Sequence, residues 1–304
     1  MQLRKAERKK VKLKIGLAGP TGSGKTYSAL LLARGLVDDW EKVAIIDTEN
    51  GSADLYSHLG GYGVLPLAPP FEPEKYAKAL ETCIKAGAEV IVIDSMSQEW
   101  SGEGGVLDYQ SKLGGKFQDW AKATPRHRAF IDAILQAPAH VICCSRVKTD
   151  WAIEQNEKGR ATPVKMGLKV EQRDGIEYEF TVSWRLAQGN MASCDKDRTG
   201  LFHGKADFKI SEATGKELRK WADSGSEAKP SMPTSQESTS YDNKNPSHKA
   251  WLMERFKEKG TPKEIWKQIA EGMNGAGMTE ANVEALILTS SAFGKETALS
   301  AKPG

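Results

Sequence analysis

The stretch Gly19-Pro-Thr-Gly-Ser-Gly-Lys-Thr26 decides how the rest of the chain is interpreted. It follows an apolar segment that begins at Ile15 and precedes a run of good helix formers that begins at Tyr27. This is the G-x-x-x-x-G-K-[ST] pattern, in which glycines let successive backbone amides turn towards phosphate oxygens. The pattern predicts a site for a nucleoside triphosphate. The residues expected to contact the nucleotide are Gly19, Pro20, Thr21, Gly22, Ser23, Gly24, Lys25, Thr26 and Tyr27.

Two side chains of this loop and one acid further along the chain are expected to act on the phosphates. Lys25 is expected to reach the β- and γ-phosphates, and Thr26 to hold Mg²⁺ through its hydroxyl. Asp94 ends the apolar segment Glu89-Val-Ile-Val-Ile-Asp94, which is the place where an acid orders the magnesium ion and its waters. The predicted cofactors are therefore ATP and Mg²⁺, with Thr26 and Asp94 at the metal.

A third acid is the candidate general base. Glu49 follows the short apolar segment that begins at Val43, and a carboxylate beside the γ-phosphate can polarise the attacking water. Asp47 is the competing candidate, although burial against the end of the strand is the expected role for it. Ser145, at the end of the apolar segment His140-Val-Ile-Cys-Cys-Ser145, is a candidate sensor of the γ-phosphate by a hydrogen bond, and Arg146 by charge.

The apolar segments alternate with stretches of helical periodicity, which predicts an α/β fold with a mostly parallel central sheet flanked by helices. Ligands of such sheets bind beyond the carboxyl ends of the strands, where the loop, Glu49 and Asp94 all fall. Further along, apolar residues alternate with polar ones from Ile176 to Leu186, which predicts a long strand. Gln188-Gly189-Asn190 is expected to turn the chain into a second strand, and a helix is expected at about 211–222.

Length and composition limit the class of protein. The 304 residues suffice for one ordinary domain and a smaller unit. A formal net charge of +3 does not by itself indicate a nucleic-acid partner. The four cysteines show no C-x-x-C spacing, which indicates reduced thiols. The N-terminus has no apolar signal core and no run approaches a membrane span, so we expect a cytoplasmic protein without a membrane partner.

The sequence divides into three parts. Residues 1–223 are the predicted ATPase domain, and residues 224–247, rich in Ser, Pro, Lys and Glu, the predicted flexible linker. Residues 248–304 carry three short helical patterns and are the predicted small helical C-terminal module. This module is either a docking element for a protein partner or a tolerated extension.

Two stretches besides the loop resemble the nucleotide-binding core of RecA-type ATPases, Val43-Ala-Ile-Ile-Asp-Thr-Glu-Asn-Gly-Ser-Ala-Asp-Leu-Tyr56 and Ala88-Glu-Val-Ile-Val-Ile-Asp-Ser95. Residues 11–223 look like the compact RecA-like ATPases encoded by phages, including single-strand annealing proteins. The resemblance implies that Glu49 is the catalytic glutamate and that Asp94 belongs to the second acidic motif. It further implies that residues 98–127 and 148–175 form the two loops that line the DNA channel.

The same resemblance implies a homo-oligomer with the nucleotide at the subunit interface. Lys196 and Arg198, spaced K-x-R after a strand, are similar to residues that reach the γ-phosphate of a neighbouring subunit in RecA and KaiC relatives. The chain departs from RecA in having Ser145 or Arg146 where RecA has a glutamine. Direct evidence for single-stranded DNA in the sequence is thin. The aromatic residues Trp100, Tyr109, Trp120 and Trp151, with Lys112, Lys116, Arg126 and Arg128 near some of them, could supply stacking and charge, but the aromatic residues are either base-stacking or core residues.

Three functions remain open at this stage. The first is an ATP-hydrolysing protein that acts on single-stranded DNA in recombination or annealing. The second is a phosphotransferase, which is disfavoured because the sequence has no separate acceptor-binding insertion. The third is an ATP-switched regulatory or assembly ATPase of KaiC type, without a DNA substrate. We expect the first.

Overall fold

A computed structural model describes residues 5–155, 161–225, 240–258, 260–279 and 282–287. The chain divides into two units, Met1–Glu227 and Ala228–Gly304. In the described residues no helix has both the length and the apolar character that crossing a membrane requires.

The first unit is built on a sheet whose strands are parallel over most of its width. The strands are β1 (Lys14–Gly19), β2 (Val43–Asp47), β3 (Gly63–Pro66), β4 (Val90–Asp94), β5 (His140–Gln155), β6 (Ala161–Val170), β7 (Val182–Leu186), β8 (Met191–Asp197) and β9 (Phe208–Lys209). Their order is β3-β2-β4-β5-β1-β7-β8-β9. The pairs from β3 to β7 are parallel, whereas β8 and β9 join antiparallel at one edge, and β6 pairs antiparallel with the end of β5.

Helices cover both faces of this sheet. Successive residues of a strand point to opposite faces, so an apolar strand contributes side chains to both layers of the core. The helices are α1 (Lys25–Leu36), α2 (Pro73–Lys85), α3 (Ser97–Ser101), α4 (Val106–Lys112), α5 (Trp120–Gln136) and α6 (Glu212–Asp223). On one face Ile15, Ile45 and Val92 pack with residues of α1 and α6. On the other face Ile46 and Ile93 pack with residues of α2 and α5. The predicted fold, a mostly parallel sheet flanked by helices, is confirmed.

The prediction of one long strand from Ile176 to Leu186 is wrong. Residues Ile176–Tyr178 form a 3₁₀ turn, and strand β7 begins only at Val182. The alternation that suggested a strand has a different cause: Ile176 and Phe180 are buried in the core beneath α2 and α5, whereas the side chain of Tyr178 is 68% exposed. The predicted hairpin is confirmed, since β7 pairs antiparallel with β8 through the turn at Gln188–Asn190.

The stretches expected to form two DNA-lining loops are more ordered than that prediction implies. Residues 98–127 contain most of α3, all of α4 and the first turns of α5, which begins at Trp120. Residues 148–175 belong largely to an antiparallel arm, in which β5 continues past the sheet and pairs with β6 from Val147↔Val170 to Gln155↔Ala161. We call residues 147–155 and 161–170 the arm.

The second unit is helical in the described residues. It contains α7 (Pro246–Glu258), a 3₁₀ turn at Lys263–Ile265, α8 (Trp266–Met273) and helical backbone at 282–287. Tyr241, Trp251, Phe256, Ile269 and Met273 form its buried core. Helix α7 thus begins within the predicted linker 224–247, most of the rest of which lies outside the described residues.

Candidate nucleotide site

The carboxyl ends of four neighbouring strands place the predicted site residues along one edge of the sheet. In the register of the sheet, Asp47 on β2 is paired with Asp94 on β4, and Asp94 with Cys144 on β5. Gly19, the last residue of β1, is paired with Arg146. The loop, the acids and residues 144–146 of β5, where this strand leaves the parallel sheet, therefore meet at the edge where ligands of parallel sheets bind.

The loop from Gly19 to Thr26 has the shape of a phosphate cradle. Gly22 and Gly24 take left-handed backbone angles, φ +79° and +81°, which side chains other than glycine rarely adopt. Gly24 is followed directly by α1, so the first backbone N–H groups of this helix have no acceptor within it. The hydroxyl oxygen of Ser23 is buried and has no hydrogen-bond partner in the described part of the chain. Free N–H groups, a buried hydroxyl and a helix N-terminus together fit an anion.

Lys25 and Thr26 stand where the predicted chemistry needs them. The ammonium group of Lys25 donates to the carbonyl oxygens of Gly19 and Pro20, both at 3.0 Å, so it lies over the loop. The Thr26 hydroxyl donates to Asp94 Oδ2 at 2.5 Å. The hydroxyl and the carboxylate predicted to hold Mg²⁺ thus converge on one point, and these oxygens suit a cation that takes one or two carboxylates and keeps several waters.

Asp94 is almost fully buried, with 2% of its surface exposed. Burial raises the pKa of this carboxyl to about 6, partly offset by the hydrogen bond from Thr26. A divalent cation at this point would favour the ionised carboxylate, because it supplies the opposite charge that the buried group lacks. A buried carboxylate that is unfavourable without a cation is typical of a metal-binding position.

The two acids after β2 have different surroundings. Asp47 is buried, and its carboxylate accepts the backbone N–H groups of Glu49 at 2.7 Å and Ala53 at 3.1 Å. It therefore shapes the turn that carries Glu49. The Glu49 side chain is 27% exposed and lies near Asp94 and the end of β5. Of the two carboxylates, Glu49 is the one that can meet a water molecule.

Glu49 is held by a partner that the sequence does not reveal. Arg146 Nη2 lies 2.6 Å from Oε2 and 2.7 Å from Oε1, and Arg146 Nε lies 3.1 Å from Oε1. The Ser95 hydroxyl donates to Oε1 at 3.1 Å. This ion pair raises the pKa of Arg146. Ser145, the other sensor candidate, is buried and paired with Ala18 of β1, next to the loop.

Two further residues next to the loop, Tyr56 and Asn190, were not predicted as site residues from the sequence. The ring of Tyr27 lies 6.0 Å from that of Tyr56, which follows Glu49 in the chain. Asn190, in the turn between β7 and β8, lies against Gly24: a Cβ atom on this glycine would come within 2.3 Å of Asn190 Oδ1. The only signal for Asn190 in the sequence is the turn that carries it, which points to no ligand.

Lys196 and Arg198 lie beside the amino end of β7, whereas the phosphate loop lies beside its carboxyl end. Leu186, at the carboxyl end of β7, abuts Gly19, whereas Lys196 is paired with Ser183 and Arg198 donates its backbone N–H to Thr181. The Lys196 ammonium and the Arg198 guanidinium both donate to the carbonyl oxygen of Tyr178. Neither cation is therefore brought to the phosphate loop of its own chain.

A cleft of about 1070 Å³ lies between α5 and the base of the arm, residues 146–150 and 169–174, which we call the arm root. The rings of Trp100 and Trp120 stack at 5.8 Å along it, and Phe117 beside them is 91% exposed. Lys148, Lys169 and Arg173 line the opposite side, together with Asp150 and Asp174. Lys169 is paired with Asp174 at 2.7 Å, so the charge of this wall is mixed.

The other two aromatic candidates, Tyr109 and Trp151, are not among the described residues that line the cleft. Tyr109 packs under the guanidinium of Arg126 at 4.2 Å, and Arg126 in turn forms a bidentate pair with Glu74. The Trp151 side chain lies outside the described residues.

Comparison with known proteins agrees with this geometry. A search of curated proteins finds no match to the chain. A family model described as an AAA domain matches residues 11–249, which include the phosphate loop, all three acids and the arm. The chain therefore belongs to the AAA domain family, whose domain is that of nucleotide-binding ATPases.

Proposed function

We propose that this protein is a Mg²⁺-dependent, RecA-like ATPase that acts on single-stranded DNA in recombination or annealing of the phage type. The observation that carries the ATPase part is the convergence of Thr26 and Asp94 at 2.5 Å, beside a loop that leads directly into the N-terminus of α1. Glu49, at the same edge of the sheet, supplies a base. The DNA part rests on the cleft and on the resemblance to RecA-type ATPases.

The proposed hydrolysis assigns one task to each residue. The loop amides and Lys25 bind and orient the triphosphate, with its γ-phosphate towards the edge where β2 and β4 end. Thr26 and Asp94 would hold Mg²⁺, which would supply charge neutralisation at the phosphate oxygens. Glu49 takes a proton from water as the water oxygen forms its bond to the γ-phosphorus and the bond to ADP breaks. The products are ADP and phosphate.

The oligomer is the second part of the proposal. Lys196 and Arg198 are directed away from the loop of their own chain: both donate to the carbonyl oxygen of Tyr178, and three residues of β7, roughly 10 Å, lie between Ser183, the partner of Lys196, and Leu186 at the loop. A cation supplied from a neighbouring subunit would stabilise charge that develops on the phosphate. We propose that the nucleotide binds between subunits and that these two residues complete the neighbour's site.

The cleft supports single-stranded DNA as the substrate. Unpaired bases stack on aromatic side chains, while cations follow the phosphates. Phe117 and the Trp100–Trp120 pair offer such a platform, and Lys148 and Arg173 face it.

The C-terminal unit remains a proposed docking element for a protein partner, and the proposed location is the cytoplasm.

The test is the steady-state ATPase rate of the full chain, with and without a single-stranded oligonucleotide, over a range of protein concentrations. We expect the rate per subunit to rise with protein concentration, because the site needs a neighbour, and to rise again with DNA. A rate that DNA leaves unchanged would favour the KaiC-type alternative. Phosphate that appears on a small acceptor instead of in solution would favour the phosphotransferase.

Lys25→Ala is the negative control for this assay. Without the ammonium group the loop loses its cation for the β- and γ-phosphates, so nucleotide binding is expected to vanish, as measured with a fluorescent ATP analogue. Residual hydrolysis by this variant would identify a contaminating ATPase.

A further inference from the structure

Arg146 donates hydrogen bonds to both carboxylate oxygens of Glu49, the proposed base. Its guanidinium makes three contacts of 2.6–3.1 Å to the Glu49 carboxylate, and Ser95 adds a fourth. Charge-assisted bidentate pairs are the strongest hydrogen bonds that proteins make. Oε1 accepts three of these four contacts, so the guanidinium and the Ser95 hydroxyl compete with a water molecule for the carboxylate.

The backbone of Arg146 lies at the point where the sheet becomes the arm. Its N–H donates to the Ser97 hydroxyl at 2.9 Å, on the helix that follows Asp94. Its carbonyl accepts the N–H of Glu171 at 2.8 Å, at the root of the arm. Lys148, two residues along the same strand, lines the cleft and is paired with Lys169. Arg146 is therefore bonded through its backbone both to the helix that follows Asp94 and to the base of the arm.

A buried cluster ties the same arm root to α3. The Gln172 amide donates to the carbonyl oxygen of Met96 at 3.2 Å and to Glu99 Oε2 at 3.1 Å. Glu99 is fully buried and also contacts His127 Nδ1 at 3.1 Å, on the helix that forms the aromatic wall of the cleft. The wall of the cleft, the arm root and the segment after Asp94 are thus joined by hydrogen bonds.

We propose that Arg146 is a positioning residue that withholds Glu49 until a ligand occupies the cleft. The inference rests on the proposed function, since it takes Glu49 as the base and single-stranded DNA as the ligand. Occupation of the cleft shifts the arm root, the guanidinium leaves the carboxylate, and Glu49 is then free to take the proton of the attacking water. Separation of this ion pair forms and breaks no covalent bond.

The experiment compares the wild type with Arg146→Ala in the ATPase assay without DNA. We expect the variant to raise kcat by roughly three- to tenfold, the range for loss of a partly exposed bidentate pair, with KM for ATP unchanged. Its stimulation by DNA should fall towards one. Arg146→Lys, which keeps a single charge contact, should give an intermediate rate. The double variant Glu49→Gln/Arg146→Ala should be inactive, because the increase acts through Glu49.

Arg126→Ala is the matched control. It removes another bidentate arginine–glutamate pair, with contacts of 2.7 Å to Glu74, from a position that does not line the cleft. We expect its basal and DNA-stimulated rates to match the wild type. Binding of a fluorescent ATP analogue to each variant verifies that the nucleotide site is folded, and Arg146→Gln replaces Arg146→Ala if the alanine variant fails this check.

Two results would overturn the inference: a basal rate of the Arg146 variants that is unchanged, or one that is lower than that of the wild type. Failure of the proposed function is recognised separately, in the wild type alone, by the absence of hydrolysis or of stimulation by DNA. If the wild type hydrolyses ATP without stimulation by DNA, a rise in the basal rate of Arg146→Ala would support the restraint of Glu49 by Arg146 and contradict its release by DNA.

Discussion

Replacing Asp94 by Asn is expected to stabilise the ligand-free protein at neutral pH while weakening its metal site. The pKa of this buried carboxyl is raised from 3.8 to about 6, because burial disfavours the charged form. A shift of roughly two units corresponds to about 3 kcal/mol of unfolding free energy at most. An asparagine has the same shape and no charge to bury, so it avoids this penalty.

The sign of the pH dependence follows from the direction of the shift. The folded state binds the proton of Asp94 more tightly than the unfolded state, so stability is highest below the unfolded pKa and falls as pH rises through the folded pKa. The advantage of Asp94→Asn is therefore expected to be about 3 kcal/mol near pH 8 and only about 1 kcal/mol near pH 4.5.

Urea unfolding of both proteins in EDTA, followed by tryptophan fluorescence, measures this difference at each pH. A difference in unfolding free energy that does not grow with pH would refute the reasoning. Adding Mg²⁺ and ATP should reverse the order of stability, because only the wild type keeps the carboxylate that binds the ion.

Three further predictions concern other parts of the molecule. Gly24→Ala should weaken nucleotide binding about tenfold in a titration, because its Cβ would collide with Asn190 and its φ is +81°; Gly22→Ala, strained but without a clash, should do less. His140 is buried in its neutral form, and burial lowers its pKa to about 3. The free energy of unfolding should therefore fall by about 2 kcal/mol between about pH 7 and 5, as the unfolded state gains protons. In urea unfolding, His140→Asn should lose less stability over the same pH range. Trp120→Ala should weaken binding of a labelled oligonucleotide about tenfold in fluorescence anisotropy and leave the DNA-free ATPase rate intact.

The sheet and the row of site residues along its edge could be predicted because local signals determine them. The phosphate loop depends on eight consecutive residues, and an apolar run that ends in an acid marks both a buried strand and the edge where the acid stands. Even the separate roles of Asp47 and Glu49 follow from their distances to the end of the strand.

Period-two alternation misled the prediction for residues 176–186. Buried residues at every second position occur in strands, but Ile176 and Phe180 reach the same core from a 3₁₀ turn and the extended chain after it. The short helices α3 and α4 were not expected, because the resemblance to RecA-type ATPases implied a loop over residues 98–127. Gly104 and Gly105 pack so closely on Pro70 and on α3 that a Cβ would lie 2.4 and 2.6 Å from its neighbours.

The contact between Arg146 and Glu49 could not be predicted from the sequence. Arg146 is 97 residues away and adjoins a strand whose own pattern is apolar. Only the order of the strands, which places β5 between β4 and β1, brings the guanidinium to the carboxylate. Pairings of this kind depend on topology, which composition and periodicity do not encode.

The central claim is that Glu49 activates water at a triphosphate held by the loop around Lys25. The most direct test is Glu49→Gln, studied by nucleotide binding and by single-turnover hydrolysis with Mg²⁺ and saturating DNA. We expect unchanged affinity for ATP and a rate of phosphate release at least about a hundredfold below that of the wild type. Hydrolysis by Glu49→Gln at the wild-type rate would contradict the central claim.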